Sequence, residues 1–165
     1  MKSIDEIMFL ISWERSEVEQ AEGINSAEDM QCIKTFFLPM GKNGGKKVWE
    51  NCAVIISRRH DEELIPYIMD MLCWIEDLNW PGAEIILQRL IQMSGVQELT
   101  LAIDDIVPIL VQQKKRSWLL SIYELVSKGE MTGGIKIDTL LALCENNTIV
   151  KNELSGYFEK VQNNK

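Results

Sequence analysis

The chain has 165 residues, 46% hydrophobic and 25% charged, which suits a soluble globular protein and excludes a disordered chain, a collagen and a disulfide scaffold. Seventeen basic against twenty-five acidic residues give a formal charge of −8, and a surface this acidic repels phosphate backbones, which argues against nucleic acid as a partner. The acidity is concentrated: residues 1–30 carry two basic and eight acidic side chains, a net of −6, and the remaining chain only −2.

The dominant sequence period is helical. Ile4, Ile7, Met8, Ile11 and Val18 fall on one face of a first predicted helix, with Glu14, Arg15, Glu17 and Glu19 on the rest. Gly23 is placed to end that helix and Ser26 to cap the next, whose apolar face is Cys32, Ile33, Phe36 and Phe37, with Pro39 after its end. A turn over Gly41–Lys47 leads to a third helix over about 46–59, with Val48, Cys52, Ile55 and Ile56 inward. A fourth covers about 62–77, with Pro66 in its first turn and Leu64, Ile65, Ile68, Leu72 and Ile75 aligned.

Asn79-Trp80-Pro81 restarts the chain, Asn79 as N-cap and Pro81 in the first turn. Ala83, Ile86, Leu87 and Leu90 form the inner face of that helix, and Gly95 closes it. Leu99, Ile103, Ile106, Val107 and Leu110 follow, with Pro108 predicting a kink or a fresh start at Asp104-Asp105. Residues 116–128 place Trp118, Leu119, Ile122, Leu125 and Val126 inward, and Gly129 ends them. After Gly133-Gly134, a helix over 138–145 and a last one from Asn147 or Thr148 complete the chain, the last burying Val150, Leu154, Tyr157, Phe158 and Val161.

Short helices in pairs suggest repeats. Ile65-Pro66-Tyr67-Ile68 recurs as Val107-Pro108-Ile109-Leu110, residue 107 against residue 65, a spacing within the roughly 40–47 residues of HEAT and armadillo repeats. Two short helices cannot bury their own apolar stripe, so successive pairs stack and share a core. The predicted fold is therefore all-α, a HEAT/armadillo-like stack of about four helical hairpins. It forms a single domain over 1–165, with acidic N-terminal helices over 1–37, a core over 38–128 and a C-terminal hairpin over 129–165.

The stretch Leu72-Cys73-Trp74-Ile75-Glu76-Asp77-Leu78-Asn79-Trp80-Pro81-Gly82-Ala83 resembles the signature W-L-x-D-[ML]-N-W-P-x-A of a small bacterial family, domain of unknown function 5071. Leu38-Pro39 with the lysine-bearing turn and Ile106-Val107-Pro108 add to the likeness, which covers roughly 38–128. Cys73, Gly82 and the extended Gly41–Lys47 turn depart from the pattern, and residues 1–30 and 130–165 lie outside it. The resemblance implies a HEAT-like helical fold and no activity.

Chemical motifs are sparse. The Gly41–Lys47 turn has Lys46 where a phosphate-binding loop needs its second glycine, and no Ser or Thr follows, so it reads as a helix–helix turn. His60 is the one histidine, beside Asp61, Glu62 and Glu63, and cannot by itself supply the ligands of a zinc site. Cys32, Cys52, Cys73 and Cys144 form no C-x-x-C pair and read as free, buried thiols of a reducing compartment. No metal, cofactor or catalytic residue is expected. The start of the chain puts Asp5 and Glu6 where a secretory signal is basic, and no apolar run approaches the roughly 20 residues of a membrane span. A cytoplasmic location follows.

Five tryptophans, at 13, 49, 74, 80 and 118, are many for this length. Trp80 and Trp118 open helices, where rings sit half exposed and suit binding. The resulting expectation is a non-enzymatic protein-binding scaffold or adaptor, in one form an immunity-type protein whose acidic first helices block a basic partner. The alternative is a small-ligand-binding protein or enzyme with a pocket near Asp77, Asn79 and Trp80.

Overall fold

A computed structural model describes residues 2–38 and 45–163, and of Val150 and residues 152–163 it describes the backbone alone. The described residues form α-helices and short 3-10 turns, with no β-strand among them. By contact the chain divides into two compact units, Met1–Met93 and Ser94–Lys165. The boundary falls within the 38–128 core that the sequence suggests.

The first unit holds α1 (Ile4–Leu10), α2 (Glu17–Ala27), a 3-10 turn over Lys34–Phe36, α3 (Lys46–Ser57), α4 (Asp61–Leu64), a second 3-10 turn over Ile65–Tyr67, α5 (Ile68–Trp74) and α6 (Ala83–Gln92). The single first helix read from the sequence is thus two. Serine breaks it. Ser16 is the N-cap of α2, its Oγ accepting from the Glu19 N–H at 3.3 Å while the Glu19 carboxylate accepts from the Ser16 N–H at 3.0 Å. Ser3 and Glu6 form the same box at the start of α1. Between the two helices the Trp13 N–H donates to the Lys47 carbonyl at 3.0 Å, which ties the turn to α3. Asn51 of α3 reinforces that tie by donating to the Ile11 carbonyl at 2.8 Å and to Gln20 at 2.7 Å.

Gly23 does not end a helix. It lies inside α2, where a Cβ would sit 2.7 Å from Ile11 Cγ2 and 2.9 Å from Leu10 Cβ, so its role is to let α1 approach. Ser26 is likewise interior, donating its hydroxyl to the Glu22 carbonyl at 2.7 Å rather than capping. Val18, placed inward by periodicity, is exposed because the break changes the phase. Cys32 lies outside any helix and is exposed, as is Cys144, while Cys52 is buried and Cys73 half-buried. Burial pushes the Cys52 thiol well above its ordinary range, so it stays protonated.

The α3 prediction is matched closely: Val48, Cys52, Ile55 and Ile56 are all buried. The fourth predicted helix is interrupted at Pro66, which has no N–H to give and turns the chain into a 3-10 segment; Leu64, Ile68, Leu72 and Ile75 are buried all the same. One half-buried arginine and one buried arginine then tie α2, α3, α4 and α6 together. Arg59, after α3, donates to the carbonyls of Ala27 and Met30, the latter at 3.1 Å. The Arg59 carbonyl in turn accepts from Arg89 of α6 at 2.9 Å, and Arg89 pairs with Asp61 of α4. Free carbonyls at helix ends are thereby satisfied by cations.

The second unit holds α7 (Gln97–Gln112), α8 (Arg116–Lys128), a 3-10 turn over Met131–Gly133 and α9 (Ile137–Asn163), and each helix meets the other two. The inward residues of α7 and α8 are those the sequence indicates. No fresh start occurs at Asp104-Asp105, since α7 runs through Pro108. Asp104 instead turns its buried carboxylate to accept the Lys136 N–H at 3.1 Å, at the entry to α9. Nor does a helix start at Asn147 or Thr148. Asn146 is buried within α9 and donates to the Arg116 carbonyl at 3.3 Å, and Thr148 donates to the Cys144 carbonyl at 3.0 Å, so neither interrupts it. The C-terminal hairpin is therefore one helix. The expected burial of Val150, Leu154, Tyr157, Phe158 and Val161, the conformation of Pro39 and the Gly41–Gly44 part of the turn lie outside what is described.

The arginine tie predicts a contrast. Arg89→Met should lower unfolding stability by about 1.5–3 kcal/mol, the range for hydrogen bonds to charged groups. Arg58→Ala, which breaks exposed contacts with Glu28 and Asn25, should cost about 0–1 kcal/mol. Urea melts of the two variants at one pH measure the difference.

Candidate functional site

The sequence points to Asp77, Asn79 and Trp80, and the fold brings them together at the corner between α5 and α6. Two successive backbone bonds make the corner, Trp80 N–H to the Asp77 carbonyl and Ala83 N–H to the Trp80 carbonyl, both 3.0 Å. Asn79 is not the cap that was expected. The Asp77 carboxylate is the acceptor, taking the Asn79 N–H at 2.9 Å and the Asn79 side-chain amide at 2.8 Å. The helix starts later, with Gly82 as N-cap in the left-handed region at φ +78°. A Cβ on Gly82 would lie 2.5 Å from Ala53 Cβ and 3.1 Å from the Trp49 carbonyl, so the backbone of α3 rests on this glycine. Left-handed φ and close approach both demand Gly here.

Three tryptophans lock the corner. Trp74 is fully buried and its Nε1–H donates to the Pro81 carbonyl at 3.1 Å. Trp49 of α3 meets both neighbours edge-on, Trp74 at 6.3 Å and Trp80 at 5.7 Å between ring centroids, the favoured arrangement for aromatic quadrupoles. Trp80 is half-buried, as expected for a ring at a helix entry, whereas Trp118 is buried. The Lys46 ammonium lies 5.6 Å from the Trp49 ring and 5.9 Å from the Trp80 ring. The two hydrogen bonds from Asn79, and then the charge of Lys46, hold the Asp77 carboxyl below its ordinary range. A carboxylate held ionised by its own turn is a poor proton donor at neutral pH, and both of its donors come from Asn79. The polar side chains of the corner thus bond to one another.

His60, the N-terminal neighbour of α4, lines a cleft of about 550 Å³ with Arg58, Arg59, Glu28 and Glu63. The cleft's arginines are engaged: Arg58 by Glu28 at 2.8 Å, Arg59 by Glu63 at 3.2 Å. Among the described residues no three His, Cys, Asp or Glu side chains come together as a metal site would require, and no helix is long and apolar enough to cross a membrane.

Sequence reasoning missed a different feature of the first unit. Phe9 and Trp13 are 55% and 58% exposed, in the most acidic part of the chain. Phe9 and Leu10 line a hollow of about 370 Å³ with Lys2, Asp5 and Glu6. The Arg15 guanidinium lies over the Phe9 ring at 3.7 Å. The signal was available: neither residue belongs to the inward set Ile4, Ile7, Met8 and Ile11, so helical spacing already leaves both outside.

The fold and this corner define an all-α protein whose helix junction is fixed by tryptophan packing. Residues 46–156 match the family model described as a domain of unknown function (DUF5071), and the chain belongs to that family. The match starts later and reaches further than the motif resemblance over 38–128, adding most of α9. No curated protein and no solved structure matches the chain.

Two measurements check the structural role of the corner. Trp74→Ala should cost roughly 3–5 kcal/mol, as a fully buried large ring does, and Trp80→Ala distinctly less because its ring is half in water. Gly82→Ala should cost roughly 1–3 kcal/mol from overpacking alone, against a change within about 0.5 kcal/mol for Gly95→Ala, whose Cβ meets open space. A pH series adds a sign. A depressed carboxylate stabilises above its unfolded pKa and loses that contribution as pH falls through the folded value. The deficit of Asp77→Ala against wild type should therefore be complete at neutral pH and shrink below about pH 4.

Proposed function

We propose that this protein is a non-enzymatic, HEAT-like helical scaffold of the cytoplasm that binds a basic protein partner, in the manner of an immunity protein masking a toxin. The observation that carries the reading is the unbalanced charge of the α1–α2 hairpin. Lys2 is engaged by Glu22 at 2.8 Å, and Glu14 and Glu28 take Lys47 and Arg58 from α3 and the turn after it. Among the described residues Asp5, Glu17 and Asp29 have no ion-pair partner. Glu6 and Glu19 are held below the ordinary carboxylate range by their bonds to Ser3 and Ser16, so they keep their charge. The surface thus carries net negative potential, which steers a cationic partner and repels an anionic one.

HEAT-like stacking has support from the succession of packed pairs within the first unit, α1 on α2, α2 on α3 and α3 on α6. Pro66 and Pro108 differ in setting, a 3-10 turn against a continuous helix, but both are exposed and each is followed two positions on by a buried aliphatic residue, Ile68 and Leu110. The second reading, a ligand pocket at Asp77, Asn79 and Trp80, has less behind it because the polar groups of that corner bond to one another.

The test is affinity purification from the native host at low and at raised ionic strength. Retained partners should be basic and should be released by salt, since charges beyond the Debye length of about 8 Å at physiological salt are screened. A Asp5→Lys, Glu17→Lys, Asp29→Lys variant should fold normally and retain none of them. A neutral or acidic partner that survives both salt and charge reversal would refute the proposal.

A further inference from the structure

We infer that the exposed side of α1 at Phe9, with Trp13 in the turn after it, seats a basic amphipathic helix of the partner, an inference that rests on the basic-partner reading and adds the shape of what binds. Asp5, Glu6 and Phe9 stand at helical spacing along one side of α1 and line one hollow of about 370 Å³, together with Leu10 and with Lys2 from before the helix. Trp13 stands two residues after the C-cap Ile11, in the turn whose N–H is tied to the Lys47 carbonyl, and its ring is exposed. The carboxylates thus stand in the first turn of α1, one exposed ring in its last turn and a second in the turn that follows. Rings 55% and 58% exposed are anchors of the kind that dominate interfaces once desolvated.

The charge around them selects the occupant. Both basic residues of this segment are already engaged within the chain, Lys2 with Glu22 at 2.8 Å and Arg15 over the Phe9 ring at 3.7 Å. Asp5 has no ion-pair partner among the described residues. An apolar stripe flanked by Lys and Arg answers both halves of this face: aliphatic side chains against Phe9, Leu10 and Trp13, and ammonium or guanidinium groups against Asp5 and Glu6. Residues spaced by three and four on α1 offer ridges that a second helix can interleave, whereas an extended strand would find no free sheet edge here.

Calorimetric titration with three synthetic probes tests the inference: a Leu–Lys amphipathic helix, a Leu–Glu helix of the same pattern, and polylysine. The Leu–Lys helix should bind, weaken with salt, and shift the Trp13 indole N–H resonance. Phe9→Ala and Trp13→Ala, confirmed as folded by circular dichroism, should each weaken it about tenfold or more, and Leu141→Ala, an exposed apolar control in the second unit, should not. Equal binding of polylysine, unaffected by the two aromatic variants, would overturn the helix and leave the basic-partner reading standing. Failure of both cationic probes at low salt would remove the two together. Equal binding of the Leu–Glu helix would reduce the face to nonspecific hydrophobic adhesion and overturn the inference.

Discussion

The contact of α3 with the entry of α6 is the constraint on which the first unit depends. Gly82 has no side chain, and the backbone of α3 occupies the space where one would be. That approach sets Trp49 between Trp74 and Trp80, and it fixes the start of the helix that carries Arg89 toward Asp61 and the Arg59 carbonyl. Arg59 then reaches the carbonyls at and beyond the end of α2. A close backbone approach at one glycine is thereby passed on, through one buried aromatic cluster and two arginines, to helices distant in sequence. Interiors packed to this density transmit such displacements rather than absorb them.

The acidic hairpin obeys a different economy of forces. Its carboxylates serve its own helices first: Glu6 and Glu19 complete capping boxes and satisfy backbone N–H groups that would otherwise be free. The same bonds that stabilise the helix starts keep the two groups ionised at lower pH than an isolated glutamate. Local stability and surface charge therefore come from the same residues. Cations that reach the hairpin from outside it, Lys47 and Arg58, come from α3 and the residue after it, so they neutralise the side that packs on α3.

Much of the fold was legible, and the misses share a cause. Inward residues of α3, α6, α7 and α8 follow helical periodicity because each helix has one dry face. The errors fall where a side chain's role is set by something distant in sequence. Gly23 looks like a helix end until α1 is seen crossing it, and Asn79 looks like a cap until Asp77 is found holding it. Asp104 suggests a helix start, yet it serves the entry to α9 thirty-two residues on. The chain restart at Asn79-Trp80-Pro81 was legible, whereas the partners that fix it, Trp49 against Trp74 and Trp80 and Asp77 holding Asn79, were not. Trp13 and Phe9 were passed over for a plain reason: periodicity finds what faces inward, and a recognition surface consists of what does not.

The family match divides the first unit into a matched and an unmatched part. The shared segment begins at residue 46, with α3, and contains the tryptophan corner, the Arg59–Arg89 tie and the helices of the second unit. These are the parts with mechanical explanations. The capped, unbalanced hairpin with its exposed rings lies before it, docked onto the shared segment through Asn51, Lys47 and Arg58. On the reading proposed above, the common fold supplies a rigid seat and the preceding hairpin supplies the partner. On that reading, substitutions at exposed side chains such as Phe9 and Trp13 would alter what the surface holds with little effect on the packed core.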